Sequence, residues 1–187
     1  FSPSLIGNLL IGIGALFLYF IIGEVIIERI WRLISGKIEN DIEVTSSSLE
    51  DSVHSGYNPS TLHASGQFDF KNISRFDLKV TTIEAEISWG EAQASSIRWE
   101  LGGFQSSSVE IENPKKKGDG WVSISSNFYP DPMIFDKPQY ITINGIVEFE
   151  GDRWWSRGRI KSQKEIYLRE QLSEKSWEGY ISDLTDD

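Results

Sequence analysis

Apolar and polar positions follow three different rhythms along this chain, and each predicts a different element. From Phe1 to Gly23 no side chain is charged, and across Leu5–Gly23 Asn8 is the only strongly polar residue. A helix crosses a hydrocarbon core of about 30 Å with roughly 20 mostly apolar residues. The run therefore predicts one uncharged helix, built for a bilayer or for the core of a filament. From Glu24 to Ser35 the pattern becomes amphipathic. At about 100° per residue, Glu24, Glu28, Arg29, Arg32 and Ser35 share one arc, opposite Ile26, Ile27, Ile30, Trp31, Leu33 and Ile34. The helix is expected to end at Gly36.

Residues 45–66 are rich in Ser, Gly, Asn and Thr and read as a linker or long loop. Beyond them the period is two. Phe68 and Phe70 alternate with polar neighbours, as do Phe76, Leu78 and Val80, and then Ile83, Ala85, Ile87 and Trp89 on the opposite parity. That switch requires a bulge or break near Thr81-Thr82. Ile97/Trp99/Leu101, Val109/Ile111, Val122/Ile124 and Ile141/Ile143/Gly145/Val147/Phe149 continue the pattern, and a last strand is expected from Trp154 toward Leu168. Turn clusters separate these runs and no long helical period interrupts them. The fold class is mainly β, an antiparallel Ig-like β-sandwich preceded by one long N-terminal hydrophobic α-helix. The expected division is 1–36 for the helix, 37–65 for a linker and first strand, 66–168 for the sandwich, and 169–187 for an acidic tail or short helix.

Charge narrows the partners. The 187 residues carry a net charge of −10, and Glu24, Glu28 and Glu39 cancel Arg29, Arg32 and Lys37, so all of it lies from Asn40 onward. Nucleic acid and anionic membrane surfaces both reward a basic face, which argues against either as the domain's main partner. The chain has no cysteine, hence no disulfide and no thiolate nucleophile or ligand.

The opening Phe1-Ser2-Pro3-Ser4-Leu5-Ile6-Gly7-Asn8-Leu9-Leu10-Ile11 resembles the mature start of archaeal type IV pilins, with Leu5 standing where bacterial pilins carry Glu. The resemblance implies prepilin-type processing before Phe1, a filament core built from the N-terminal helices, and a β-domain outside the cytoplasm. Without a basic leader, Arg29, Arg32 and Lys37 alone would draw the domain to the cytoplasmic side. Farther along, Gly66–Val80 resembles the first strand pair of LEA14/WHy-type domains, with Asn72-Ile73 where that family has Asn-Pro. This second resemblance implies a scaffolding role on a helix-tethered sandwich. The reading taken from the two is a non-catalytic, pilin-like subunit that forms a homopolymer through its helix with the sandwich outside; the alternative is a single-pass membrane-anchored scaffold or accessory subunit bound to other membrane proteins.

Candidate residues follow from these readings. Leu5, Gly7, Leu10, Gly14, Phe17 and Phe20 are candidate membrane or helix-packing positions; Gly7 and Gly14, a heptad apart, would allow one close helix approach. Trp31 is expected at headgroup depth. Glu24, Glu28, Arg29 and Arg32 are candidates for charge pairing between subunits. On the expected last strand, Trp155, Arg157, Arg159 and Lys161 form a stripe suited to docking an acidic neighbour. Asn72-Ile73-Ser74 is an acceptable glycosylation sequon. The two histidines, His54 and His63, fall in the Ser-rich segment, which would hold a metal or a catalytic triad poorly. Asp119 and the run Asp131–Asp136 read as turns rather than calcium loops. No catalytic residue, metal or cofactor is expected.

Overall fold

The computed structural model describes residues 3–54, 60–90, 93–102, 108–131 and 137–185, apart from the side chains of 3–10, 46, 47 and 185. Helix α1 (Pro3–Asn40) runs past the expected stop at Gly36. Ile38 lies four residues after Ile34 on the same face and is 1% exposed. Burying an isoleucine contributes about 2 kcal/mol, more than the roughly 1 kcal/mol a helical glycine costs. The helix closes when the Asp41 N–H turns back to the carbonyl of Ile38 at 2.9 Å.

Eight strands follow: β1 (Ile42–His54), β2 (Thr61–Asn72), β3 (Leu78–Trp89), β4 (Gln93–Glu100), β5 (Val109–Glu112), β6 (Gly118–Phe128), β7 (Tyr140–Gly151) and β8 (Lys161–Gln171). They make two antiparallel sheets, ordered β1-β2-β6-β5 and β4-β3-β7-β8. Successive strands pair within one sheet and the chain then crosses to the other, so the two sheets face each other. Their inner faces are the period-two positions. Leu62, Ala64, Phe68, Phe70, Val122 and Ile124 of one sheet meet Ile83, Ile87, Ile143, Val147, Phe149 and Ile166 of the other. Phe70 and Phe149 touch edge to face at 5.3 Å, joining the layers. At Gly145, paired with Ala85, an added Cβ would sit 2.7 Å from the Ala85 Cα, so this crossing of β3 and β7 admits only glycine. The parity switch after Val80 is a bulge at Thr81.

Two further expectations fail. The Ser-rich stretch 45–66 is mostly strand: β1 and β2 pair from Ile42↔Asn72 to His54↔Thr61, with a bulge at Thr45. β1 is an edge strand whose outward side chains are polar, which is why its composition mimics a loop. The expected last strand does not begin at Trp154 but at Lys161. Residues 153–160 turn helically instead: the Ser156 and Arg157 N–H groups bond the Arg153 carbonyl at 2.9 and 2.8 Å, and the Arg159 and Ile160 N–H groups bond that of Ser156. The C-terminal segment forms α2 (Glu174–Thr185), which packs on the sandwich through Trp177 and Tyr180.

Candidate membrane anchor

The described part of α1 divides into two stretches. From Ile11 to Ile22 the apolar side chains stand free of the domain; Phe17 is 69% and Phe20 66% exposed, and a Cβ at Gly14 would meet nothing within 4 Å beyond the helix's own backbone. The side chains of Leu5, Gly7 and Leu10 lie outside the described residues. By length and composition this helix can cross a membrane. The second stretch docks. Trp31 and Ile34 are half-buried and Ile38 fully buried, one face at spacings of three and four residues. Ser35, grouped by its polarity with the charged arc, belongs to this docking face: its hydroxyl accepts from the Lys161 N–H at 3.1 Å and lies 3.4 Å from the Arg159 carbonyl. The opposite apolar stripe of Ile22, Ile26, Ile30 and Leu33 is exposed. Glu24, Glu28, Arg29 and Arg32 are exposed too, and none forms an ion pair within 4.0 Å among the described residues.

What α1 docks against is the connection between β7 and β8. Its base closes through the Gly151 N–H to the Ile160 carbonyl at 3.2 Å. Ser156 is buried and its hydroxyl donates to the Arg153 carbonyl at 3.0 Å; Gly158 takes φ +71°, which glycine adopts without strain. Arg153 pairs with Asp77 at 2.8 Å, tying the connection to the start of β3. Asp77 also accepts the Lys116 N–H, and that hydrogen bond, with Arg153 beside it, holds its carboxyl below the usual aspartate range. Trp155 is the keystone. Its ring lies 6.2 Å from Trp31 and 5.8 Å from Phe76, and the Arg159 guanidinium sits 5.8 Å over the Trp31 ring. Trp154 points away from all of this, 87% exposed. Trp155, Arg157, Arg159 and Lys161 are thus brought together, but by a helical turn beside α1 rather than by one face of a strand. Sequence parity could not show this, because the pairing of residues 153–159 depends on Ser156 and Gly158 rather than on hydrophobic alternation.

The remaining candidates are placed as follows. Asn72 is buried, and its Nδ2 donates to the carbonyls of Phe76 at 2.8 Å and Lys115 at 2.9 Å while its Oδ1 accepts the Ser74 N–H. A glycan has no room on that nitrogen in the folded domain; the sequon is a structural turn. His54 and His63 lie on paired strands, not on a loop, with rings stacked at 4.8 Å, and His63 Nδ1 contacts Asn127 Oδ1 at 2.9 Å. Among the described residues no three His, Cys, Asp or Glu side chains converge as a metal site would require. Asp119 lies on β6, and residues 132–136 are outside the described residues. A shallow groove of about 400 Å³ on the outer face of the first sheet is lined by His63, Ser65, Trp121 and Ser123 among others. Two of its hydroxyls, Ser65 Oγ and Ser123 Oγ, bond each other at 2.9 Å.

The architecture defines a class, an antiparallel β-sandwich carried on a long N-terminal apolar helix. A scan against family models finds no match, and no curated protein matches. Among solved structures, the chain is similar to a Northeast Structural Genomics Consortium target with TM-score 0.47 and 11% identity, over 73% of this chain and 89% of that one. It is also similar to a Bordetella pertussis structural-genomics target carrying the ApaA name, with TM-score 0.42 and 14% identity, over 71% of this chain and 94% of that one. At these values neither likeness assigns a function.

Proposed function

We propose that the protein is a non-catalytic, single-pass membrane-anchored scaffold whose sandwich is held at a fixed angle to its anchor. One observation carries this reading: α1 is a continuous helix that leaves its apolar first stretch bare and spends its last turns in the domain's own core. A flexible tether would need no Ile38 in that core. The rigid junction suits a domain that must present one surface at a set height and orientation, as an accessory subunit of a membrane complex does. A filament subunit like the type IV pilins is the second reading, favoured by the exposed mixed-charge arc of Glu24, Glu28, Arg29 and Arg32, which could pair between parallel copies. No cofactor or metal enters either reading.

The test is flotation of the full chain with phospholipid vesicles at high salt and alkaline pH. The wild type should float with the lipid. Phe17→Arg should leave it, since a charge at the helix centre costs about 2.5–3.5 kcal/mol on insertion. Wild-type chain that stays in the aqueous fraction would overturn the anchor. Filaments seen by electron microscopy when detergent is removed, in place of floating chain, would favour the second reading.

A further inference from the structure

The segment Arg153–Lys161 (RWWSRGRIK) holds four cations and no acid in a chain of net charge −10. Asp77 neutralises Arg153, which leaves Arg157, Arg159 and Lys161 exposed; Lys161 stands across from Glu150 and shares a groove with Glu39 and Glu148, and Trp154, in the same connection, is 87% exposed. The connection meets residues 31–35 of the helix through Trp155, Arg159 and the Lys161 N–H. At about 1.5 Å per residue, Trp31 stands roughly 12 Å above Gly23, where the uncharged run ends. The headgroup layer adds about 5–7 Å beyond the hydrocarbon on each side. The gap that remains is within reach of an exposed Trp or Arg side chain, and helix tilt closes it further.

We infer that this connection is a second membrane contact, in which Arg157, Arg159 and Lys161 bind phosphate oxygens of anionic phospholipid headgroups and Trp154 seats at the headgroup boundary. The inference rests on α1 being the anchor. Three features favour a lipid surface. The cations complement its charge, an indole with a free N–H is suited to the water–lipid boundary, and the patch continues the contact that α1 already makes with the bilayer. The acidity of the rest of the domain then acts as an orienting device. Repelled by the same headgroups, it tilts helix and sandwich together so that this basic connection faces down. The buried Ser156 hydroxyl, the Asp77–Arg153 pair and the Trp31–Trp155 contact fix the loop's shape before any lipid arrives, so little ordering remains to oppose binding.

The chain contains no cysteine, so a single one can report position. Full-length Trp154→Cys and Tyr129→Cys chains would each carry an environment-sensitive fluorophore. They would be reconstituted in phosphatidylcholine vesicles, with or without phosphatidylglycerol, containing headgroup-attached nitroxide quencher. Tyr129 is an exposed residue just beyond the end of β6 that lies away from α1. The account expects several-fold stronger quenching at position 154 than at 129. Omitting phosphatidylglycerol, or adding Arg157→Gln with Arg159→Gln, should remove most of that difference. Both labelled sites are on the surface, and a thermal melt matching the wild type checks that folding is intact. Equal, weak quenching at both sites in chain that still floats with the vesicles would overturn the headgroup contact and leave the anchor standing. Chain that does not float would overturn both. Fluorophore protection at position 154 that rises with protein concentration and ignores lipid composition would assign the patch to a second copy of the chain and refute the inference.

Discussion

Asp77 shows how one side chain can set the geometry of the junction. Its Oδ2 accepts both Nε and Nη2 of Arg153 at 2.8 Å, its Oδ1 accepts the Lys116 N–H at 3.1 Å, and its carbonyl accepts the Asp152 N–H at 2.9 Å. Three segments distant in sequence are tied at one residue. Asp77→Asn keeps the shape but loses the charge, and should cost about 1 kcal/mol at neutral pH. Because the folded carboxyl is held below its ordinary pKa, chiefly by the Lys116 N–H, its contribution is full above the ordinary aspartate value of about 3.9. It is lost as pH falls through the folded value. Thermal melts should therefore show wild type and variant differing at pH 7 and converging below about pH 4. A difference that grows in acid would contradict this role. The residues of this site were partly legible in the sequence: the Arg and Trp positions stood out by composition. Their backbone was not, since nothing in RWWSRGR announces that Ser156 will turn inward and fold the segment on itself.

Helix α2 makes the corresponding argument for an element. Ser173 caps it, its hydroxyl accepting the Ser176 N–H at 3.2 Å while Asp51 of β1 accepts the Ser173 N–H at 2.7 Å. Trp177 then stacks on Trp89 at 5.6 Å and the Tyr180 hydroxyl donates to the Pro130 carbonyl at 2.9 Å. Burial of that phenol raises its pKa. Trp177→Ala should remove roughly 3–5 kcal/mol and release α2, readable as a lower melting temperature with a loss of near-ultraviolet dichroism. A variant that melts like the wild type would mean α2 is an appendage rather than a lid on the open end of the sandwich. Seen from sequence, Trp177, Ile181 and Leu184 had helical spacing and Gly179 weakened it. The glycine faces Val53 of β1, where an added Cβ would make ordinary contact at 3.4 Å; its cost of about 1 kcal/mol in a helix is offset by the burial of Trp177 and Tyr180 on either side. The strands with apolar alternation, such as β3 and β7, were readable because one face of each is core. β1 was not, because its pairing is set by the backbone of β2 and by only a few inward residues such as Leu49 and Val53.

For the whole molecule, charge and hydrophobicity are sorted along one direction: an uncharged first stretch of helix, a mixed-charge second stretch beside a basic connection, then an acidic sandwich. That order is what a protein standing on a bilayer needs, and it follows from the placement of Phe1–Gly23, Arg153–Lys161 and the carboxylates of the strands. The first and last of these were visible in the sequence. The middle one was visible as a basic stripe but misplaced on a strand, because its seat beside α1 appears only when the β7–β8 connection folds into a helical turn against the helix. The central claim, that the bare stretch of α1 lies in lipid while its last turns are fixed in the domain, is tested most directly by hydrogen exchange on the full chain in phospholipid nanodiscs. Amides of residues 11–23 should remain unexchanged long after those of 24–30 have exchanged, and residues 34–40 should be protected together with the strands of the sandwich. Exchange of 11–23 at the pace of 24–30 would place that stretch in water and contradict the anchor.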